Sequence, residues 1–261
     1  MSHRLERPRI AHMEDLITHV REPNFAKTSL QTFICNNGDP APGRRLDRVI
    51  EEIQIDEAVR RLRPDFTVLA ICAYGLSNGP TDDRSREWLA AAAAQAVPTD
   101  HEKVEAWRAA YRAFGAKPQR TRPSVDALVR RMPLPEINLV VDAYNTVSVR
   151  HGLPIGGEDL RRYDGAARLI RAAGDEPSEE ALGDPEIGEV VWRDDTGVTC
   201  RRWNWRQCVR TRITEETVDA LFLLERLEPL SSDELAAAGD ELSGLLAAIT
   251  PEVRIESRLI G

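Results

Sequence analysis

Apolar positions run almost without interruption through "DFTVLAICAYGL", from Asp65 to Leu76. The run is rich in strand formers and closes on a glycine, which predicts a buried strand. Helical periodicity follows. Asp82 or Asp83 is placed to cap "RSREWLAAAAAQAV", and Asp100 to cap "HEKVEAWRAAYRAF", which stops at Gly115. A third helix, "SVDALVRRM", begins at Ser124 beside Pro123. The stretch from Pro135 to Gly152 predicts another, with Val140, Tyr144 and Val147 on one face and Asp142, Asn145 and Ser148 on a second.

Beyond the glycine-rich turn "GLPIGGEDL" the period shortens. "RLIRAAGDE", "GEVVWRDDTGVTCRRWNW" and "DALFLLERL" predict short strands, with "DDTG" as a hairpin turn between Glu189 and Trp203. Ser232 is placed to cap "DELAAAGDELSGLLAAI", an amphipathic helix ending near Pro251, and the sequence leaves open whether it packs on the domain or on another subunit. At the other end, "NNGDPAPGRR" is a turn-rich break, and "LDRVIEEIQI" after it predicts a short helix. The expected organisation is an N-terminal extension of uncertain order over 1–56, a main domain over 57–229, and a C-terminal helix and tail over 230–261. The expected class is α+β, with helices early and a mostly antiparallel sheet late.

Composition narrows the function classes. With 42% hydrophobic and 30% charged residues, the chain of 261 residues has the composition of a soluble globular protein. No stretch approaches the roughly 18 consecutive apolar residues of a membrane span, and the segment "MSHRLERPRI" lacks a signal-peptide core. Cys35, Cys72, Cys200 and Cys208 form no CxxC pair, so reduced thiols in a cytoplasm, with no metal and no cofactor, are expected. A formal net charge of -8 argues against nonspecific coating of nucleic acid.

Against that acidity, "CRRWNWRQCVRTR" gathers five arginines and two tryptophans. If 198–205 is a strand, Cys200, Arg202 and Asn204 share one face, and Arg201, Trp203 and Trp205 the other. Arginine stacked on indole, worth about 0.5 to 2 kcal/mol, is compatible with a wholly structural role, and equally with a pocket for a charged, planar ligand.

Four stretches in one order carry a family likeness. "LPEINLVVDAYNTVSVRHGLPIGGEDL", "GDE", "GEVVWRDDTGVTCRRWNWRQ" and "TRITEETVDALFLLE" together resemble the B3/B4 domain family. This is the tRNA-editing module of the bacterial phenylalanyl-tRNA synthetase beta subunit, and it also occurs as free-standing proteins. The likeness spans about 57–229. It implies hydrolysis of the ester of mischarged aminoacyl-tRNA by a positioned water, with no covalent nucleophile. Glu225 matches the glutamate that reads the editing substrate, and Asn145, with Asp142 before it, matches a stretch lining the editing pocket. On their own, a solvated Glu225 and a backbone-capping Asp142 and Asn145 are the plainer readings.

Two departures stand out. Gly156 occupies the place of a histidine that positions water in the synthetase modules, and a glycine transfers no proton. "RRWNWRQ" replaces a glycine-rich loop, so Trp203, Asn204, Trp205 and Arg206 are expected to build a reshaped, polar and aromatic substrate pocket. Lys117, Arg120 and Arg122 in "GAKPQRTRPS", with Arg108, Arg112, Arg130 and Arg131 around them, form a candidate tRNA-binding patch or a solvated face. The expected partner is the 3′ end of an aminoacyl-tRNA. The alternative is a noncatalytic module that binds an amino-acid-like small molecule.

Overall fold

The computed structural model describes residues 46–261; Cys35 and the break at 36–45 lie outside the described residues. A 3-10 helix over Leu46–Glu52 leads into strand β1 (Gln54–Ile55) and helix α1 (Glu57–Leu62). Val49, Ile50 and Ile53, at helical spacing, are buried in the main core together with Ile55. Residues 46–56 are therefore part of the folded domain, where the sequence had placed them in an extension.

The run from Asp65 forms strand β2 (Thr67–Tyr74). Its Val68, Ala70 and Cys72 join one core, and Ile71 and Ala73 join a second on the opposite face, which is why the run is apolar at both parities. Helices α2 (Asp83–Ala94) and α3 (Glu102–Ala113) follow. Asp82 caps α2 in a capping box with Ser85. At α3 the cap is His101 rather than Asp100, its ring nitrogen accepting from the Lys103 amide at 3.2 Å. Helix α4 is short (Ser124–Val129), and α5 (Leu139–His151) runs from an Asn138 cap to Gly152 in the left-handed conformation.

The rest of the chain supplies strands β3 (Ile155–Asp159), β4 (Arg168–Arg171), β5 (Val190–Arg193), β6 (Val198–Arg201), β7 (Arg206–Gln207) and β8 (Asp219–Arg226). Helix α6 (Ser232–Ile249), capped by Ser231 rather than Ser232, precedes strand β9 (Arg254–Ile260). The strands form two sheets instead of one, in the orders β3-β8-β2-β9 and β1-β4-β5-β6-β7. All pairings are antiparallel except β1 with β4. "IGGED", read as part of a turn, is thus a strand beside β8, and the expected tail is a sheet edge beside β2.

The four-stranded sheet divides the molecule. One face packs on α5 and α6 through Val140, Val147, Leu235, Leu242 and Leu246, so the C-terminal helix packs on its own domain. The other face meets α3 and the second sheet through Val104, Trp107, Tyr111, Leu169 and Trp192. The class is α+β, with antiparallel-rich sheets flanked by helices.

Candidate functional site

Strand pleating decides what the two sheets present to each other. Gly156 pairs with Leu223 and Glu158 with Leu221, so Gly156, Glu158, Leu223 and Glu225 share one face of the four-stranded sheet. In the second sheet Trp192 pairs with Cys200 and Cys200 with Gln207, which makes a row across three strands. These residues, with Tyr144 and Asn145 of α5 and Ser124 and Leu128 of α4, enclose a cleft of about 270 Å³.

Glu225 is buried in this cleft. Its two oxygens accept from Trp192 Nε1 at 2.7 Å and from Asn204 Nδ2 at 2.6 Å. Asn204 Oδ1 in turn accepts from the Tyr111 hydroxyl at 2.9 Å and the Ser124 amide at 3.3 Å. Both donors to Glu225 are neutral. Burial pushes its carboxyl up to about 8, against the lowering effect of those two bonds. Glu158 is equally buried, and Gln207 Nε2 donates to it at 2.6 Å and to the Gly157 carbonyl at 2.5 Å. Burial pushes this carboxyl to about 8 as well. Cys200 lies on the same cleft, its thiol raised by burial and then by Glu158 and Glu225, which makes it a poor nucleophile. Asn145, also buried, lines the cleft and makes no hydrogen bond through its side chain among the described residues.

The arginine and tryptophan segment divides its labour. The expected strand over 198–205 stops at Arg201, because Arg202 and Trp203 adopt φ values of 46° and 68° and turn the chain back into β7. Arg201 is buried and forks onto Glu189 at 2.6 and 2.7 Å. Trp203 is fully buried, its ring packed on Phe66, Trp107 and Phe114 under the cleft wall. Trp205 is half-buried at the cleft, with the guanidinium groups of Arg202 and Arg206 stacked on it at 4.7 and 4.6 Å from its ring centre. Arg206 is exposed at the rim.

Asp142 does not join the cleft. Its carboxylate accepts from Thr81 Oγ1 (2.6 Å), Ser85 Oγ (2.9 Å) and the Ile137 amide (2.9 Å), which ties the start of α2 to α5. A three-residue step on a helix rotates it by about 60° from Asn145, enough to part the two. The basic loop has two fates. Arg108 and Arg130 bind Asp126, with Arg122 3.9 Å from it, and Arg112 binds Glu105. Lys117 and Arg120 instead line a second, larger cavity of about 510 Å³ with Arg202, Glu186 and Glu189. Arg202 connects the two hollows, since it also stacks on Trp205.

The two glycines of β3 differ sharply. A Cβ at Gly156 would meet nothing within 4 Å, whereas at Gly157 it would stand 2.8 Å from Ile213 Cδ1 and 2.9 Å from Tyr144 Cε1. Gly157→Ala should therefore cost about 2 kcal/mol by overpacking, and Gly156→Ala should be near neutral. Equal urea midpoints for the two variants would contradict this placement.

Glu158, Trp192, Cys200 and Gln207 are cleft residues that sequence reasoning missed. One signal existed for Glu158: it lies two residues from Gly156, hence on the same face once "IGGED" is a strand. Among the described residues no group of three or more His, Cys, Asp or Glu side chains is placed to hold a metal ion, and no helix is long and apolar enough to cross a membrane.

A comparison with curated proteins finds no match. Among solved structures, an N-terminal fragment of the phenylalanyl-tRNA synthetase beta-subunit from Pyrococcus horikoshii aligns with a TM-score of 0.40 and 13% sequence identity, covering 80% of this chain and 54% of that one. The chain thus spans about half the length of that fragment. The family model of the B3/4 domain matches residues 106–238, a span that includes Asn145, Gly156, Glu158, Asn204 and Glu225. On that match, the chain belongs to the B3/4 domain family.

Proposed function

We propose that the cleft hydrolyses, in trans, the ester of mischarged aminoacyl-tRNA. The observation that carries this reading is Glu225: a buried carboxyl held by two neutral donors, facing a cleft of about 270 Å³. That volume falls just below the range of about 300 to 1,000 Å³ usual for ligand sites, and it suits an aminoacyl group with the nucleotide left outside. Water adds to the ester carbonyl, and the bond to the ribose oxygen then breaks. Glu225, which ionises as the pH approaches about 8, takes the proton from water in its ionised form and returns it to the departing ribose oxygen. Asn145, with its amide free, donates to the oxyanion as it develops. Gly156 contributes space only. Trp205 and Arg206 guard the rim, and Lys117, Arg120 and Arg202 offer positive charge to the phosphates of the tRNA end; Arg122 stands 3.9 Å from Asp126 instead.

Release of amino acid from a panel of correctly and incorrectly charged tRNAs tests this. Glu225→Ala and Asn145→Ala should each lower kcat/KM by about a hundredfold or more, the scale of losing a general base or an oxyanion donor. The second reading, a noncatalytic module for an amino-acid-like ligand, has one observation in its favour: both Glu225 oxygens already accept hydrogen bonds. Folded protein that turns over no charged tRNA would establish it over the first.

A further inference from the structure

Five of the nine buried carboxylates among the described residues lie within 4 Å of an arginine, Asp159 at 3.9 Å from Arg162 among them. Asp126 binds Arg108, Glu189 binds Arg201, Asp194 binds Arg210 and Asp219 binds Arg161. Of the four without an ion pair among the described residues, Asp142 and Glu176 accept from hydroxyls or backbone amides away from the cleft, whereas Glu158 and Glu225 both lie on it. Arg210, the cation with the most influence on Glu158, is already committed to Asp194 through two bonds of 2.8 and 2.9 Å. Leaving a buried acid without a counter-charge is costly, and that cost falls when a cation arrives. A further group in the cleft also awaits a partner, since the Asn145 side chain, 7% exposed, has no hydrogen bond among the described residues.

Position separates the two acids. Glu158 pairs with Leu221, and Glu225 lies four residues further along β8. At about 3.4 Å per residue, their backbones are roughly 14 Å apart. An extended side chain can span from one acid toward the other. We propose that the cleft selects an aminoacyl group with a cationic side chain, whose ammonium or guanidinium is received by Glu158 while the ester lies at Glu225 and Asn145. This rests on the deacylase reading and adds its substrate class. Glu158 is then a specificity residue, and Gln207, which donates to it, fixes its orientation.

The test uses one tRNA body charged with arginine, lysine, leucine or tyrosine, and separately the binding of L-arginine amide, L-lysine amide and L-leucine amide by calorimetry. The basic esters should be hydrolysed, and the basic amides bound, about tenfold or more better than the neutral ones. Arginine against lysine tells guanidinium from ammonium. Glu158→Gln should collapse that preference, and Glu158→Asp should restore part of it. Equal or faster hydrolysis of the leucine or tyrosine ester would overturn the inference and leave the deacylase standing. If no ester is turned over, the deacylase reading fails, and the amides decide: a basic preference that depends on Glu158 supports the inference, whereas equal or no binding overturns it. The wild-type amide comparison needs no variant to fold.

Discussion

The protein is expected to be most stable near pH 5 to 6 and to lose stability as the pH rises through 8. Glu158 and Glu225 cause the decline. Each carboxyl is held up to about 8 in the fold, while in the unfolded chain it ionises near 4.5. Below both values the proton is bound in either state and neither acid carries a penalty. Between them the unfolded chain has released its proton and the folded one has not, so each rise in pH favours unfolding, and the loss is complete only above the folded value. At about 1.4 kcal/mol per pH unit, and allowing for water in the open cleft, each acid costs on the order of 3 kcal/mol by pH 9. The acid side is governed by other groups. Asp65 and Asp126 are held below the usual range by arginine partners despite their burial, and the capping Glu234 is lowered to about 2 by Lys103, so their contributions vanish as the pH falls below 4. Denaturant midpoints at pH 5.5, 7 and 8.5 measure the slope, and Glu158→Gln and Glu225→Gln should each flatten it. Stability that rises between pH 6 and 8.5 would mean that both acids ionise in the fold as ordinary carboxyls.

Trp203→Ala is expected to destabilise the protein by about 4 kcal/mol. The ring is fully buried, with centroids 5.0 Å from Phe66, 5.4 Å from Trp107 and 6.3 Å from Phe114. Truncation would leave a void where three aromatic rings meet. The neighbouring tryptophan gives the contrast. Trp205→Ala removes two cation–π contacts at a half-exposed site and should cost about 1 kcal/mol, with its larger effect on the cleft. Thermal or urea unfolding of both variants measures the difference. A Trp203→Ala loss no greater than that of Trp205→Ala would contradict the division between core and rim.

Much of the fold was legible because local signals were strong. The unbroken run at Asp65, the capping box at Asp82 and the left-handed stop at Gly152 each act over a few residues. What escaped depends on partners far away in sequence. "RIESRLI" alternates too weakly to announce a strand, and it becomes one because β2 offers an open edge. The turn at Arg202 and Trp203 puts positive φ on two residues that seldom adopt it, so no propensity rule places it there. The candidate cleft was partly legible. Family likeness pointed to Glu225, Asn145 and the Trp203 to Arg206 segment, but it could not separate Trp203, which fills the core, from Trp205, which faces the cleft. It also grouped Asp142 with Asn145, although one is spent on α2 and the other is free. Glu158 went unseen because its surroundings come from Gln207 and the second sheet.

The position of β9 bears on how the protein is made. β2 is synthesised well before its two neighbours, β8 and β9, which come from residues 219–226 and 254–260. Until those segments emerge its hydrogen-bonding edges have no native partner, while its side chains are apolar on both faces. A ribosome-bound chain in that state invites pairing with other strands, and it becomes safe only when both late segments have left the exit tunnel. Slow translation between α6 and β9 would prolong this exposure, so the burden on chaperones should fall in the interval while the second edge of β2 is still open.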